Sequence, residues 1–533
     1  MRQKTFWLLV GIILVGAFLR TYQYANFLRF NPDQARDAGI IRDAIDGKAA
    51  LPLLGPKAGG TSFQLGPVFY DFAYFSAKIF GAAPDRMAYP DLLTSILFLP
   101  LLYEFARKFF SKNISLVATG LAAVSFYAVK YSRFAWNPNS TPFWILLTFY
   151  AFFELVRSGQ RKRWLWAIVL GLAAGVAIQL HSLALFSLPV VFVIYFVYLF
   201  FKKNPAWKWA PVVLAVVLLA NSFQIASEVQ TGGKNIQSFF RGMHAKTSRS
   251  GTLADKFVLD AVCHIQGESY MILPIGNDSH CDFMDAAGSL QKNSNNNFLL
   301  LGDMLFAVIF VLGGYFLLFR AWWKETDERK KIFLELILLY AVVLFVLLIP
   351  LADEISFRFF LVAEFLPFIF AALWIKFFEE RLEKKYFIIV VAIIVGMAVG
   401  TNLTTLTDYA ANLAGVRAQG SNGFEEITLG EVKYMADFME TNSGGAKIVY
   451  VQGSAADLFE VLKPIEYFTS PSGLKVIQLK KGKILAPMDK IFLINVMKDP
   501  TKKNTLSQST LDSYSVLASG RYGRVKIYEL EMK

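Results

Sequence analysis

Long apolar runs, rather than periodic stripes, dominate the first 406 residues of this chain. A helix needs about 20 apolar residues to span a hydrocarbon core. Eleven windows approach or reach that length, at 6–24, 90–109, 114–131, 141–156, 164–180, 183–201, 209–227, 298–319, 332–351, 357–378 and 386–406. Gly171, Gly175, Pro189 and Pro367 fall inside them, and membrane helices tolerate such breakers. The aromatic segment 63–80 is only half apolar and carries Gly66-Pro67, Asp71 and Lys78. Charge at mid-membrane is costly, so this segment is expected to lie along the interface as an amphipathic helix.

Between the windows lie a long loop at 25–89, short connections at 130–140, His181-Ser182 and 352–356, a polar loop at 228–297, and a soluble tail from about 407. Thr428-Leu-Gly-Glu431 is a capping box that opens an amphipathic helix. Strands are expected at 447–451, 475–479, 490–496 and 525–530, with a helix near 455–462. The predicted organisation is an all-α polytopic membrane domain at 1–406 with about eleven transmembrane helices, followed by a small α/β domain at 407–533. No internal repeat is visible, which weighs against repeat-built transporters.

Composition agrees: of 533 residues, 55% are hydrophobic and only 18% charged, where soluble domains carry about 25% charged. The net charge of +13 points to topology and not to nucleic acid. Arg107, Lys108, Arg161, Lys162, Arg163, Lys202, Lys203, Arg320, Lys324, Lys376 and Arg381 all fall on one side if every window spans. The short connections opposite carry only Lys130, Arg133 and Arg358. By the positive-inside rule the basic side is cytoplasmic. The N-terminus is then inside and the C-terminus outside a plasma membrane. The first window has no small-residue cleavage site and reads as a retained span. Cys263 and Cys281 both lie in the outer loop 228–297, where a disulfide is permitted. His264 and His280 adjoin them and keep zinc as a minor reading.

The candidate chemistry gathers on the outer side. In Asn31-Pro-Asp-Gln-Ala-Arg-Asp37, Pro32 disfavours helix for Asn31. Asp33 is placed to cap a helix that stops at Gly47, with Asp37 one turn on. The bland reading is an N-cap and a structural ion pair. The same side receives Tyr131-Ser-Arg-Phe-Ala-Trp-Asn-Pro-Asn139, with Arg133 and Asn137, then Gln179 and His181, and finally Asp353, Glu354 and Arg358. A carboxylate base, phosphate-binding cations and hydrogen-bonding amides around one cavity suit transfer chemistry on an anionic, membrane-resident substrate.

With these strings, Gly66-Pro-Val-Phe-Tyr70, Leu180-His181-Ser182 and Arg358-Phe-Phe-Leu361 before Pro367, residues 1–405 resemble the GT-C class membrane glycosyltransferases. The resemblance is to the family 39-like group, which includes protein O-mannosyltransferases and the lipid A aminoarabinose transferase. It implies a polyprenyl-phosphate sugar as donor, transfer with inversion to a lipid, glycan or protein acceptor, and no cofactor or metal. It further implies that Asp33 is the general base. Gln34 stands where the family usually has Glu, and Asp37 is the only nearby second carboxylate. Arg358 is the first candidate for the leaving phosphate, followed by Lys57 and Arg133, with His181 and Asn137 as further substrate contacts. The main competing reading is a transporter or flippase of a lipid-linked or anionic solute. It is disfavoured because the charges sit at membrane edges and the spans are largely uncharged.

Overall fold

The computed structural model describes residues 3–157, 159–247, 252–275, 297–418, 426–479, 490–497, 499–501 and 506–533. Its principal helices are, in chain order, α1 (Gln3–Thr21), α2 (Pro32–Ile45), α3 (Val68–Phe80), α4 (Tyr89–Ala106), α5 (Lys112–Val124), α6 (Thr141–Arg157), α7 (Gln160–Leu180) and α8 (Ser182–Phe201). They continue with α9 (Ala210–Ala220), α10 (Ser222–Thr231), α11 (Lys234–Thr247), α12 (Leu253–Tyr270), α13 (Asn297–Lys324), α14 (Glu328–Leu348), α15 (Phe365–Glu379) and α16 (Lys384–Leu413).

Among the described residues, six helical stretches are long and apolar enough to cross a membrane. They are α1, Lys162–Leu180 of α7, α8, Met304–Lys324 of α13, Glu328–Glu354 and α16. Two further apolar stretches are bent helix pairs, each a broken span or a re-entrant loop: Pro205–Ala220 with Ser222–Thr231 at 64°, and Phe357–Ala363 with Phe365–Glu379 at 67°. These eight coincide with eight predicted windows. The remaining three are α4, the 17-residue α6, and α5, whose window breaks at Ser125 before the short helix Phe126–Tyr131. The break is held inside the bundle: the Phe126 N–H donates to Asn402 Oδ1 at 2.6 Å, and Ser125 Oγ donates to the Met271 carbonyl at 2.7 Å. The chain is a multi-pass membrane protein. Helix α3 has 13 residues and so is roughly 20 Å long, too short for a core of about 30 Å.

Close helix packing follows small residues. Gly171 and Gly175 on α7 leave no room for a Cβ against Val216 and Ala220 of α9.

The tail holds α17 (Leu429–Asn442), α18 (Ala455–Thr469) and a five-stranded sheet. Its strands are β1 (Ile448–Gln452), β2 (Lys475–Gln478), β3 (Lys490–Val496), β4 (Tyr514–Tyr522) and β5 (Val525–Met532), in the order β2-β1-β3-β5-β4. Strand β1 runs parallel to β2 and β3, while β5 is antiparallel to β3 and β4. The expected capping box is present, with Thr428 and Glu431 bonded reciprocally at 2.9 and 3.2 Å. Strand β4 is the one element of this sheet without a sequence expectation.

The tail is seated on the segment that leads into α2. Phe30 N–H donates to the Ile427 carbonyl at 3.0 Å, and Leu429 N–H to the Leu28 carbonyl at 2.7 Å. Arg42 of α2 lies 4.2 Å over the Tyr467 ring of α18 and donates to its carbonyl. Beneath this contact Glu426 is held by Arg29 and Lys130, each at 3.3 Å, and by the Tyr409 hydroxyl at 3.1 Å. The bundle and the tail thus jointly fix the start of α2.

Candidate active site

Helix α2 begins at Pro32, whose fixed φ suits the first helical position. Asn31 is extended, and its side chain accepts the Asp33 N–H at 3.1 Å. Gln34 completes a capping box by accepting the Asn31 N–H at 3.3 Å. The cap is therefore Asn31, a correction to the expectation for Asp33. Asp33 falls inside the first turn, and its carboxylate is left free of the backbone. Its side chain is 57% exposed and pairs with Arg36 at 2.7 Å. The amide of Gln34 is buried and also donates to the Ala135 carbonyl at 3.2 Å. At this position the chain uses an amide for architecture.

Asp33 opens onto a cavity of about 410 Å³. Lys57, His181, Asn137 and Arg358 line the same cavity, so five of the seven predicted site residues converge there. Lys57 comes from a tight loop, bridged to Gln64, that turns at Gly59-Gly60. That loop is anchored by Asn235, which exchanges two hydrogen bonds with the Gln64 backbone at 2.8 and 2.9 Å. The loop leads to Gly66, where a Cβ would stand 2.3 Å from the Gln179 side chain. Gln179 is itself held by the Val68 N–H and the Ala220 carbonyl, which accounts for glycine before Pro67.

Arg358 is exposed and lies 5.6 Å over the Trp136 ring and 5.7 Å from that of Phe359. Neither Arg358 nor Lys57 forms an ion pair among the described residues, and both line the cavity together with the Asp33 and Glu354 carboxylates. Asn137 donates to the Leu180 carbonyl at 2.8 Å and thereby ties two connections together. His181 caps α8: its Nδ1 accepts the Leu183 N–H at 3.1 Å, which leaves the proton on Nε2. Burial and the Arg358 charge depress the His181 pKa to about 3, so the ring is a neutral donor and not a cation.

The other two predicted residues lie elsewhere. Asp37 is buried beside a small cleft on the inner face of α2, bonded to Arg36 at 2.9 Å and to the Tyr70 hydroxyl at 2.9 Å. Burial raises its pKa despite both partners. Arg133 is 6% exposed and donates to the carbonyls of Leu19, Arg20 and Tyr22 at 3.1, 3.2 and 2.6 Å. These are end-of-helix carbonyls left open by α1, so Arg133 caps a span and does not reach the cavity.

Sequence reasoning passed over Phe239 and Met243, which line the cavity from α11. Phe239 stacks on Phe186 at 4.6 Å and meets Phe63 edge-on at 5.3 Å. Their i, i+4 spacing was the available signal. Of the cysteine region, Cys263 is buried on α12 and disulfide-bonded, while His280 and Cys281 lie outside the described residues. His264 is buried on α12 against Glu268 at 3.3 Å and Asp260 at 3.8 Å.

Residues 64–224 match the family described as dolichyl-phosphate-mannose-protein mannosyltransferase. No curated protein matches the sequence. Among solved structures, ArnT from Cupriavidus metallidurans bound to undecaprenyl phosphate aligns with a TM-score of 0.52 at 14% identity, over 99% of this chain and 98% of that one. The oligosaccharyltransferase AglB from Archaeoglobus fulgidus, in complex with an inhibitory peptide and a dolichol-phosphate, aligns with a TM-score of 0.51 at 13% identity, over 89% of this chain. The alignment spans 64% of AglB. The family match includes Asn137 and His181 and excludes Asp33 and Arg358. The chain thus shares the fold of ArnT and AglB, and its residues 64–224 match the dolichyl-phosphate-mannose-protein mannosyltransferase family.

Proposed function

We propose that this protein transfers a hexosyl or pentosyl group from a polyprenyl-phosphate donor to an acceptor at the outer face of a plasma membrane. The observation that carries this reading is the Asp33 carboxylate lining one cavity with Lys57 and Arg358, neither of which forms an ion pair among the described residues. The acceptor O–H or N–H gives its proton to Asp33 while its heteroatom bonds to the anomeric carbon. The bond from that carbon to the phosphate oxygen breaks, and its electron pair leaves with the polyprenyl phosphate. Lys57 and Arg358 meet the developing negative charge, and they supply there what a metal would otherwise supply. The His181 Nε2–H adds a neutral donor. Arg133 is withdrawn as a phosphate contact because its guanidinium is committed to three carbonyls. Inversion is favoured because Asp37, the second carboxylate of α2, is sealed by Tyr70 and Arg36 and cannot act as a nucleophile.

The test supplies purified protein with a polyprenyl-phosphate sugar and compares wild type with Asp33→Asn. Sugar transfer or release should fall about 10²- to 10⁴-fold in the variant, with the melting temperature retained and with no effect of chelator on wild type. Undiminished turnover in the variant would remove Asp33 as the base. Vesicle uptake of intact donor without cleavage would favour a transporter.

A further inference from the structure

The bundle end away from Asp33 holds a second cavity of about 180 Å³, where the last turns of α4, α13 and α15 meet the first half of α14. Helix α15 follows directly on the segment carrying Arg358 and has 15 residues, so its far end lies roughly 20 Å away. Arg320, Lys324 and Lys376 line this cavity together with Glu325 and Glu380. None of the three cations forms an ion pair among the described residues, and Arg320 sits 5.8 Å over the Phe377 ring. Basic residues at span ends are expected from topology alone. Topology does not require an apolar hollow beneath them, walled here by Phe105, Leu317, Ile337 and Leu373.

We propose that this cavity binds the headgroup of a monoanionic glycerophospholipid. Its phosphodiester would lie among Arg320, Lys324 and Lys376, and an acyl chain would run along the aromatic and leucine wall. The apolar wall selects a lipid over free phosphate. Three cations against two carboxylates leave a formal charge of +1, which matches a single negative charge, while Glu325 and Glu380 would repel a second. The site is independent of the catalytic reading above.

Native mass spectrometry of the full chain in neutral detergent tests it, with titration by phosphatidylglycerol, phosphatidylcholine or inorganic phosphate. Phosphatidylglycerol should bind wild type and a Lys202→Gln, Lys203→Gln, Lys208→Gln control alike. The Arg320→Gln, Lys324→Gln, Lys376→Gln variant should bind it at least about tenfold more weakly, since each of the three cations attracts an anionic lipid. If the triple variant fails to fold, Arg320→Gln and Lys376→Gln singly make the same comparison. Equal phosphatidylglycerol retention in the cavity variants and the control would overturn the proposal. So would phosphatidylcholine or inorganic phosphate binding as strongly as phosphatidylglycerol.

Discussion

The Tyr70 hydroxyl donates to the Asp37 carboxylate at 2.9 Å, and so pins the short helix α3 to the inner face of α2. Asp33 is one helical turn earlier and faces the cavity instead. The two carboxylates share Arg36 but do different work. Asp37→Asn weakens a buried, charge-assisted contact and should cost about 1–3 kcal/mol of stability, read as a lower melting temperature. Its activity loss should be smaller than that of Asp33→Asn. Equal losses of turnover for the two, at equal stability, would remove the distinction.

His181 should remain neutral across the working range. Burial and the neighbouring Arg358 charge hold its pKa at about 3, below the usual histidine value near 6.5. A depressed pKa contributes stability above the unfolded value, and that stability is lost as pH falls from about 6.5 toward 3. NMR of ring-labelled histidine should show the Nε2–H tautomer without titration between pH 8 and 5. A midpoint near 6.5 for His181 would contradict the geometry.

The legible parts of this fold are those set by bulk transfer energy. Apolar length located α8, α14 and α16 and the apolar stretches of both bent helix pairs. It could not register the break at Ser125, because the groups that hold it, Asn402 and Met271, stand 276 and 146 residues from their partners. In the site, Lys57, His181, Asn137 and Arg358, chosen by residue type, line one cavity. Arg133 has the same type and the same outer-loop address, but it was diverted by three carbonyls at the end of α1, a partner 111–114 residues distant that no local pattern reveals. The Asn31 cap was readable from Pro32, since a residue before proline is extended and extended backbone is what an N-cap requires. Phe239 and Met243 were hidden inside a loop whose overall polarity outweighed one apolar helical face.

Arg358 owes its position to α12. Phe360, two residues on, packs over Gly267, where a Cβ would stand 2.5 Å from the ring. The His264 ring meets Phe360 at 4.9 Å, and Tyr270 meets Phe357 at 5.0 Å. Gly267→Ala should push this segment outward with Arg358 on it. The expected result is a donor KM raised by about tenfold or more at a modest cost in stability, roughly 1–3 kcal/mol. Arg358→Gln should act more strongly on kcat, by about 10²- to 10³-fold. Unchanged donor KM in Gly267→Ala would show that the segment holds Arg358 by other contacts.

Acid should loosen the tail from the bundle through Glu426. Burial alone would raise its pKa, but the charges of Lys130 and Arg29 and the Tyr409 hydrogen bond outweigh it and hold the value at about 2. A carboxylate depressed on folding contributes stability above its unfolded pKa, near 4.3, and loses it as pH falls through the folded value. The contribution is therefore complete at neutral pH and disappears between about pH 4 and 2. Glu426→Gln removes it at every pH and leaves Lys130 buried beside a neutral partner, at a cost of about 3–5 kcal/mol. Limited proteolysis between the bundle and the tail, followed over pH 7 to 2, should show wild type becoming cleavable only at the acid end. The variant should be cleavable already at pH 7. Because Glu426 adjoins the strand-like contact of Phe30 with Ile427, the same loosening should also free the start of α2 and lower transfer activity. A variant as resistant as wild type at pH 7 would mean that the contacts of Phe30 with Tyr467 and Phe468, of Arg42 with Tyr467 and the backbone bonds at Ile427 and Leu429 hold the tail without Glu426.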